Sequence, residues 1–211
     1  LPLDIREKMI SHIRRIMREN AHILAQIAGE ETGMGRYEDK VQKNLLNANK
    51  APGPEILSPL AWSGDEGLTL IERAPFGVIG SIIPSTNPTS SVICNTISMV
   101  AAGNATVFNA HPGAVQCSNL TVQLMNEAIV EAGGPANLVS ALAEPTIETA
   151  QQIMKHEGID LLTVTGGIGV VREAMQSGKR AVCAGPGNPP VVVDETADLD
   201  QAGRDIVLGA S

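Results

Sequence analysis

Aromatic residues are nearly missing from this chain: one Trp, one Tyr and two Phe make up 2% of its 211 residues. Stacked rings cannot build its core, which must come from Val, Ile, Leu, Ala and Met, a composition suited to parallel sheets covered on both faces. Cysteine is sparse as well. Cys94, Cys117 and Cys183 are an odd number in unrelated contexts, with no CxxC pair. This argues against a disulfide framework or a zinc site and for a reducing compartment. No apolar run is long enough to span a membrane, and no signal peptide is visible. Lys and Arg form no cluster, and the formal charge is −8; both disfavour a nucleic-acid partner. Internal repeats and low-complexity tracts are also lacking. What is present, 43% hydrophobic and 18% charged residues, describes a globular chain long enough for one sizeable core.

Residues 4–28 set Ile5, Met9, Ile13, Ile16, Leu24 and Ile27 on one face at helical spacing, with Arg14, Arg15, Arg18 and Glu19 opposite. The pattern predicts an amphipathic helix packed on a domain. The stretch GRYEDKVQKNLLNA repeats it with Tyr37, Val41, Leu45 and Ala48, until Pro52 and Pro54 end it. In EILSPLAWSGDEGLTLIERAPFG two strand-like runs flank Ser63–Gly67, a hairpin signal of the longer-loop type. An isolated hairpin is marginally stable, so this one is expected to pair elsewhere, as an assembly element.

From Phe76 the period changes. Strands are expected at 77–84, 105–109, 138–142, 160–165, 180–183 and 190–194. Helices are expected at 88–102, 113–132, 146–156, 169–177 and from about 198. Such alternation predicts an α/β fold with a doubly wound, Rossmann-like parallel sheet, preceded by N-terminal helices and an inserted β-hairpin.

Ligands of such sheets sit at the carboxyl ends of the strands. Four loops qualify: IPSTNPTS (83–90), FNAHPGA (108–114), TVTGGIGVV (163–171) and CAGPGNPP (183–190). Glycine-rich turns let a backbone approach a pyrophosphate, and close helix–strand packing explains them about as well. The dinucleotide fingerprint is incomplete, since Arg172 stands where a third glycine is needed, and the P-loop lysine is absent. Asn87 presents an amide suited to an oxyanion or to capping the helix that follows. His111 can contact a ribose or cap its own helix. The cysteines lack the neighbouring His or basic residues of a reactive thiolate, and no metal site is indicated.

In this order ERAPFGVIGSIIPSTNPTSSV, AAGNATVFNAHPGA, LLTVTGGIGVV and AGPGNPPVVVD resemble the aldehyde dehydrogenase superfamily. They look most like its coenzyme A-acylating branch. That branch holds the acetaldehyde and propionaldehyde dehydrogenases of ethanolamine and propanediol breakdown, and the aldehyde half of bifunctional alcohol/aldehyde dehydrogenases. The resemblance covers nearly the whole chain but only the amino-terminal part of the family, less than half of a complete enzyme.

The resemblance implies three parts: helices 1–54 packing on the cofactor domain, a hairpin 55–75 for oligomerisation, and a dinucleotide-binding domain 76–211. The catalytic domain and its nucleophilic cysteine would lie beyond IVLGAS. Asn87 would hold the oxyanion of the thiohemiacetal. Pro84, Ser85 and Thr86 would lie along the cofactor, and His111, Pro112 and Gly113 would face the adenosine ribose. Thr165, Gly166, Gly167 and Ile168 would make helix-capping cofactor contacts, and Ala184, Gly185, Pro186 and Gly187 would floor the nicotinamide site.

Two departures from non-acylating members are informative. Asn109 stands near their lysine, and Ala184 takes the place of the glutamate that activates the hydrolytic water. Losing that base suits an enzyme that spares its thioester for coenzyme A. The implied enzyme oxidises a short-chain aldehyde to acyl-coenzyme A with NAD or NADP. It is a homo-oligomer without nucleic-acid or membrane partners, in the cytoplasm or inside a bacterial microcompartment. Alternatives are an acylating dehydrogenase for another aldehyde, such as sulfoacetaldehyde, and a non-catalytic nucleotide-binding or assembly fragment.

Overall fold

Short aliphatic runs between glycine- and proline-rich turns become parallel strands here because helices cover both of their faces. A computed structural model describes residues 1–187 and 190–210. Its elements, in chain order, are α1 (Leu3–Glu19), α2 (Ala21–Thr32), α3 (Tyr37–Lys50), β1 (Leu60–Gly64), β2 (Gly67–Ile71), β3 (Val78–Ile82) and α4 (Pro88–Ala101). They continue with β4 (Ala105–Asn109), α5 (Val115–Glu131), β5 (Val139–Ala141), α6 (Ile147–Lys155), β6 (Leu161–Thr165), α7 (Ile168–Gln176), β7 (Ala181–Ala184) and α8 (Leu199–Ala210). The sheet runs β5-β4-β3-β6-β7 with every pair parallel. The chain begins it at the centre, builds to one side, then crosses to the other. That is doubly wound topology, with its switch point beside β3.

The larger core lies between the sheet and the N-terminal helices. Met9, Ile13, Met17 and Leu24 meet Ile93 and Ile97 of α4, Phe108 of β4, and Met125 and Ile129 of α5. The other face holds Ile82, Ile153, Met154, Leu162, Val164 and Ala174 under α6 and α7. Gly80, at the middle of β3, marks how close α6 comes: a Cβ there would lie 2.5 Å from Ile153 Cγ2.

The structure differs from the sequence reading in four places. The helix expected over 4–28 is broken at Asn20, whose side-chain amide donates to the Ile16 carbonyl and competes with the helical ladder. Arg14 is not a solvent-face residue. It crosses to α3 and donates to the terminal carbonyls of Ala48 (2.9 Å) and Ala51 (2.7 Å), groups that α3 cannot satisfy itself. The hairpin closes more tightly than expected, with Asp65 and Glu66 between Gly64 and Gly67, and all ten strand residues are exposed. Lastly, the run 190–194 is not a strand: Val191, Val192 and Val193 are exposed, and β7 ends the sheet instead. High β-propensity makes no strand without a partner to pair with.

Candidate active site

Parallel strands joined by right-handed crossovers bring all their carboxyl ends to one edge. There β3 delivers Ile82, Ile83 and Pro84, β4 delivers Asn109, Ala110, His111 and Pro112, and β6 delivers Thr165, Gly166 and Gly167. With the first turns of α6 and α7 they line a cleft of about 490 Å³. Its lining is chiefly apolar, with Asn109, His111, Thr146, Thr165 and Glu173 as its polar side chains.

Gly166 and Gly167 shape the floor. A Cβ at Gly166 would come 2.7 Å from Val170 Cγ1, whereas Gly167 faces open space. Gly167 is the N-cap of α7 and supplies no side-chain cap bond. The first-turn N–H groups of α7 therefore lack a side-chain acceptor from the cap, a setting that attracts anions. The Gly166 N–H donates to the Ala184 carbonyl at 3.1 Å, and Thr165 registers with Ala184 across the β6–β7 ladder. This sets Ala184, the first residue of the bare Ala184-Gly185-Pro186-Gly187 segment, next to Gly166. Asn188 and Pro189 lie outside the described residues.

His111 caps the short 3-10 turn after it, since its Nδ1 accepts from the Gly113 N–H at 3.0 Å. That leaves the proton of the neutral ring on Nε2 as a free donor. His111 can thus cap its turn and still donate to a ligand.

Sequence reasoning missed the α6 side of the cleft: Thr146, Ile147 and Ala150, together with Val170 and Glu173 of α7. Thr146 and Thr149 form a reciprocal capping box, and Thr149 Oγ1 donates to Asn109 Oδ1 at 2.7 Å. The Thr-x-x-Thr spacing was the available signal. Glu173 is the single carboxylate among the lining residues, which include no Lys or Arg. The cleft lining does not include Ser85, Thr86, Asn87, Gly113, Ile168 or Ala184–Gly187.

Asn87 begins α4 yet makes no side-chain cap bond. Its Oδ1 accepts from Lys43 Nζ at 3.0 Å, and its Nδ2 approaches Thr86 Oγ1 at 3.4 Å. The helix does not use this amide. The cysteines stand elsewhere. Burial, reinforced by the Glu31 carboxylate, pushes the Cys117 thiol up to about 12, and burial raises that of Cys94. Among the described residues no group of three His, Cys, Asp or Glu side chains gathers to hold a metal, and no helix is long and apolar enough to cross a membrane.

The family model for the aldehyde dehydrogenase family matches residues 1–211. An acetaldehyde dehydrogenase (acetylating) of Bilophila wadsworthia is 54% identical over 208 residues, which are 98% of this chain and 43% of that protein. A propionaldehyde dehydrogenase from the Clostridium phytofermentans fucose utilisation bacterial microcompartment superposes with a TM-score of 0.92 at 52% identity, covering 100% of this chain and 48% of that one. The Rhodopseudomonas palustris propionaldehyde dehydrogenase, solved with bound coenzyme A and an acylated cysteine, gives 0.92 at 46% identity, again over 100% of this chain and 48% of the other. The chain spans less than half the length of each. It belongs to the aldehyde dehydrogenase family, beside acylating members.

Proposed function

We propose that this chain is the dinucleotide-binding part of a coenzyme A-acylating aldehyde dehydrogenase. The whole protein converts a short-chain aldehyde and coenzyme A into an acyl-coenzyme A, reducing NAD or NADP. The end of β7 carries this reading. Ala184 pairs with Thr165 and accepts from Gly166 at the glycine floor of the cleft, and neither it nor Gly185, Pro186 and Gly187 after it has a side chain that takes a proton near neutral pH. A positioned general base contributes about 10²–10⁴-fold, enough to decide between hydrolysis of an acyl-enzyme and its transfer to a thiol.

The cleft fits a dinucleotide: an uncapped helix N-terminus over a glycine floor, apolar walls and the free Nε2–H of His111. When bound, the nicotinamide supplies the hydride acceptor. The chain's own residues do the rest of the holding. The α7 N-terminus would hold the pyrophosphate, His111 would donate to a ribose hydroxyl, and Ile83, Pro84 and Val170 would keep water out. The Asn87 amide donates to the substrate oxygen as it gains charge. By likeness to the Rhodopseudomonas protein, a cysteine carries the acyl group. Burial keeps Cys94 and Cys117 protonated, and Cys183 lies on β7 before the bare segment, so we assign that thiol to the part of the protein outside these 211 residues. Residues 55–75 are assigned to subunit assembly, and a bacterial microcompartment, the setting of the Clostridium relative, is the assigned location.

Product analysis of the full-length enzyme tests the reading. With aldehyde and NAD(P) it should form acyl-coenzyme A when coenzyme A is present and only slowly release acid when it is withheld. Rapid acid production without coenzyme A overturns it.

A further inference from the structure

Lys43 is an exposed residue of α3 beside the face that packs along the start of α4, and its place is set by its neighbour. Asn44 is 1% exposed. It accepts from Thr89 Oγ1 at 2.8 Å and donates to the Ala21 carbonyl at 3.2 Å, clamping α3 to the first turn of α4 and to α2. One residue away, the Lys43 ammonium meets Asn87 Oδ1 at 3.0 Å. Among the described residues Lys43 makes no ion pair, so its charge is not cancelled by a carboxylate contact.

An ammonium has donors only. It can hold the amide in one orientation, with Oδ1 toward Lys43 and Nδ2, which also donates to Thr86 Oγ1 at 3.4 Å, turned away. Without that contact the two ends of an amide are nearly isosteric, and Asn87 could turn its carbonyl toward a ligand oxygen, where it would repel. We infer that Lys43 is a positioning residue for Asn87: it locks the amide in its donating orientation and adds positive potential behind it. This rests on the proposed role of Asn87 as the donor to the substrate oxygen. Lys40, one turn back, is buried and carries no hydrogen bond to Asn87; burial and then Lys43 lower its pKa. Position 43 alone makes the contact.

The test is a double-mutant cycle in the full-length enzyme, following aldehyde-dependent NAD(P)H formation with Lys43→Met, Lys43→Arg, Asn87→Ala and the Lys43→Met/Asn87→Ala pair. Deleting a direct oxyanion donor costs about 10²–10³ in kcat, and losing its orienting partner should cost less, roughly 10-fold. Lys43→Met should lower kcat by that factor with KM for the aldehyde changed by less than about twofold. In the Asn87→Ala background the same substitution should change kcat by less than about twofold, because its target is gone. Lys43→Arg, still a donor and still charged, should recover most of the rate. A full 10-fold loss in the Asn87→Ala background overturns the inference, as does an effect confined to KM, or an arginine variant as slow as the methionine variant. Reduced cofactor is the readout, so free acid from the wild-type enzyme would defeat the acylating reading while leaving the Lys43 result legible.

Discussion

Asn87 has its Oδ1 engaged by Lys43 and its Nδ2 by Thr86 Oγ1, and spends neither end on capping α4. Asn87→Ala should therefore reduce turnover of the full-length enzyme by about 10²–10³. Its melting temperature should barely move, because no cap bond worth about 1 kcal/mol is lost. Normal turnover with a clear fall in melting temperature would return Asn87 to a capping role. Ala184 is the complementary case, assigned its role by the carboxylate it lacks. Ala184→Glu should raise the ratio of free acid to acyl-coenzyme A among the products, provided that the Gly-Pro segment after it accepts the larger side chain. An unchanged ratio in a folded variant would mean that the new carboxylate does not reach the acyl group.

Between elements, the most informative contact joins α2 to α5. The Glu31 carboxylate accepts from the N–H of Gln116 at 2.8 Å and of Cys117 at 2.9 Å, satisfying orphan donors of a helix 85 residues away in sequence. Burial pushes the Glu31 pKa up, but the N–H groups of Cys117 and Gln116, with the Cys117 thiol and the Val115 N–H, outweigh it, and the net value falls below the ordinary 4.5. A depressed folded-state pKa stabilises the fold in full above the unfolded value and loses that contribution as pH falls through the folded one. Glu31→Ala should cost about 1 kcal/mol at neutral pH, on the scale of a lost cap. Urea unfolding repeated toward pH 3 should show the gap between variant and wild type closing. A gap independent of pH would mean that packing, not the carboxylate charge, joins the two helices. The start of α5 follows directly on His111 and Pro112, so this cap also steadies one wall of the cleft.

At the scale of the whole molecule the hairpin pairs with no other strand among the described residues. Leu60, Trp62, Leu68, Leu70 and Ile71 are 43–71% exposed, and a two-stranded ribbon with open edges is marginal in water and prone to pairing. Deleting residues 56–72 from the full-length protein should lower its sedimentation mass to a smaller oligomer. An unchanged mass would remove the assembly role. The apolar run Val191–Val193 and the outer face of α8, with Ile206 and Val207, are likewise exposed.

The amino-acid sequence by itself determined the doubly wound sheet, because aliphatic strands alternating with helical patterns have few other ways to bury both faces. It also marked the glycine- and proline-rich loops, since backbone that must approach a ligand closely cannot carry bulk. The same local logic failed at 190–194, where three valines read as a strand but no described strand pairs with them, and at Asn20, where one side chain interrupts an otherwise continuous helical face. Only the tertiary structure decided that Lys43 meets Asn87, that Thr149 holds Asn109 and that Glu31 caps α5. Each joins residues 40 or more positions apart through one or two polar contacts. Periodicity reports which face of an element is buried, but not which atoms across the interface will meet there.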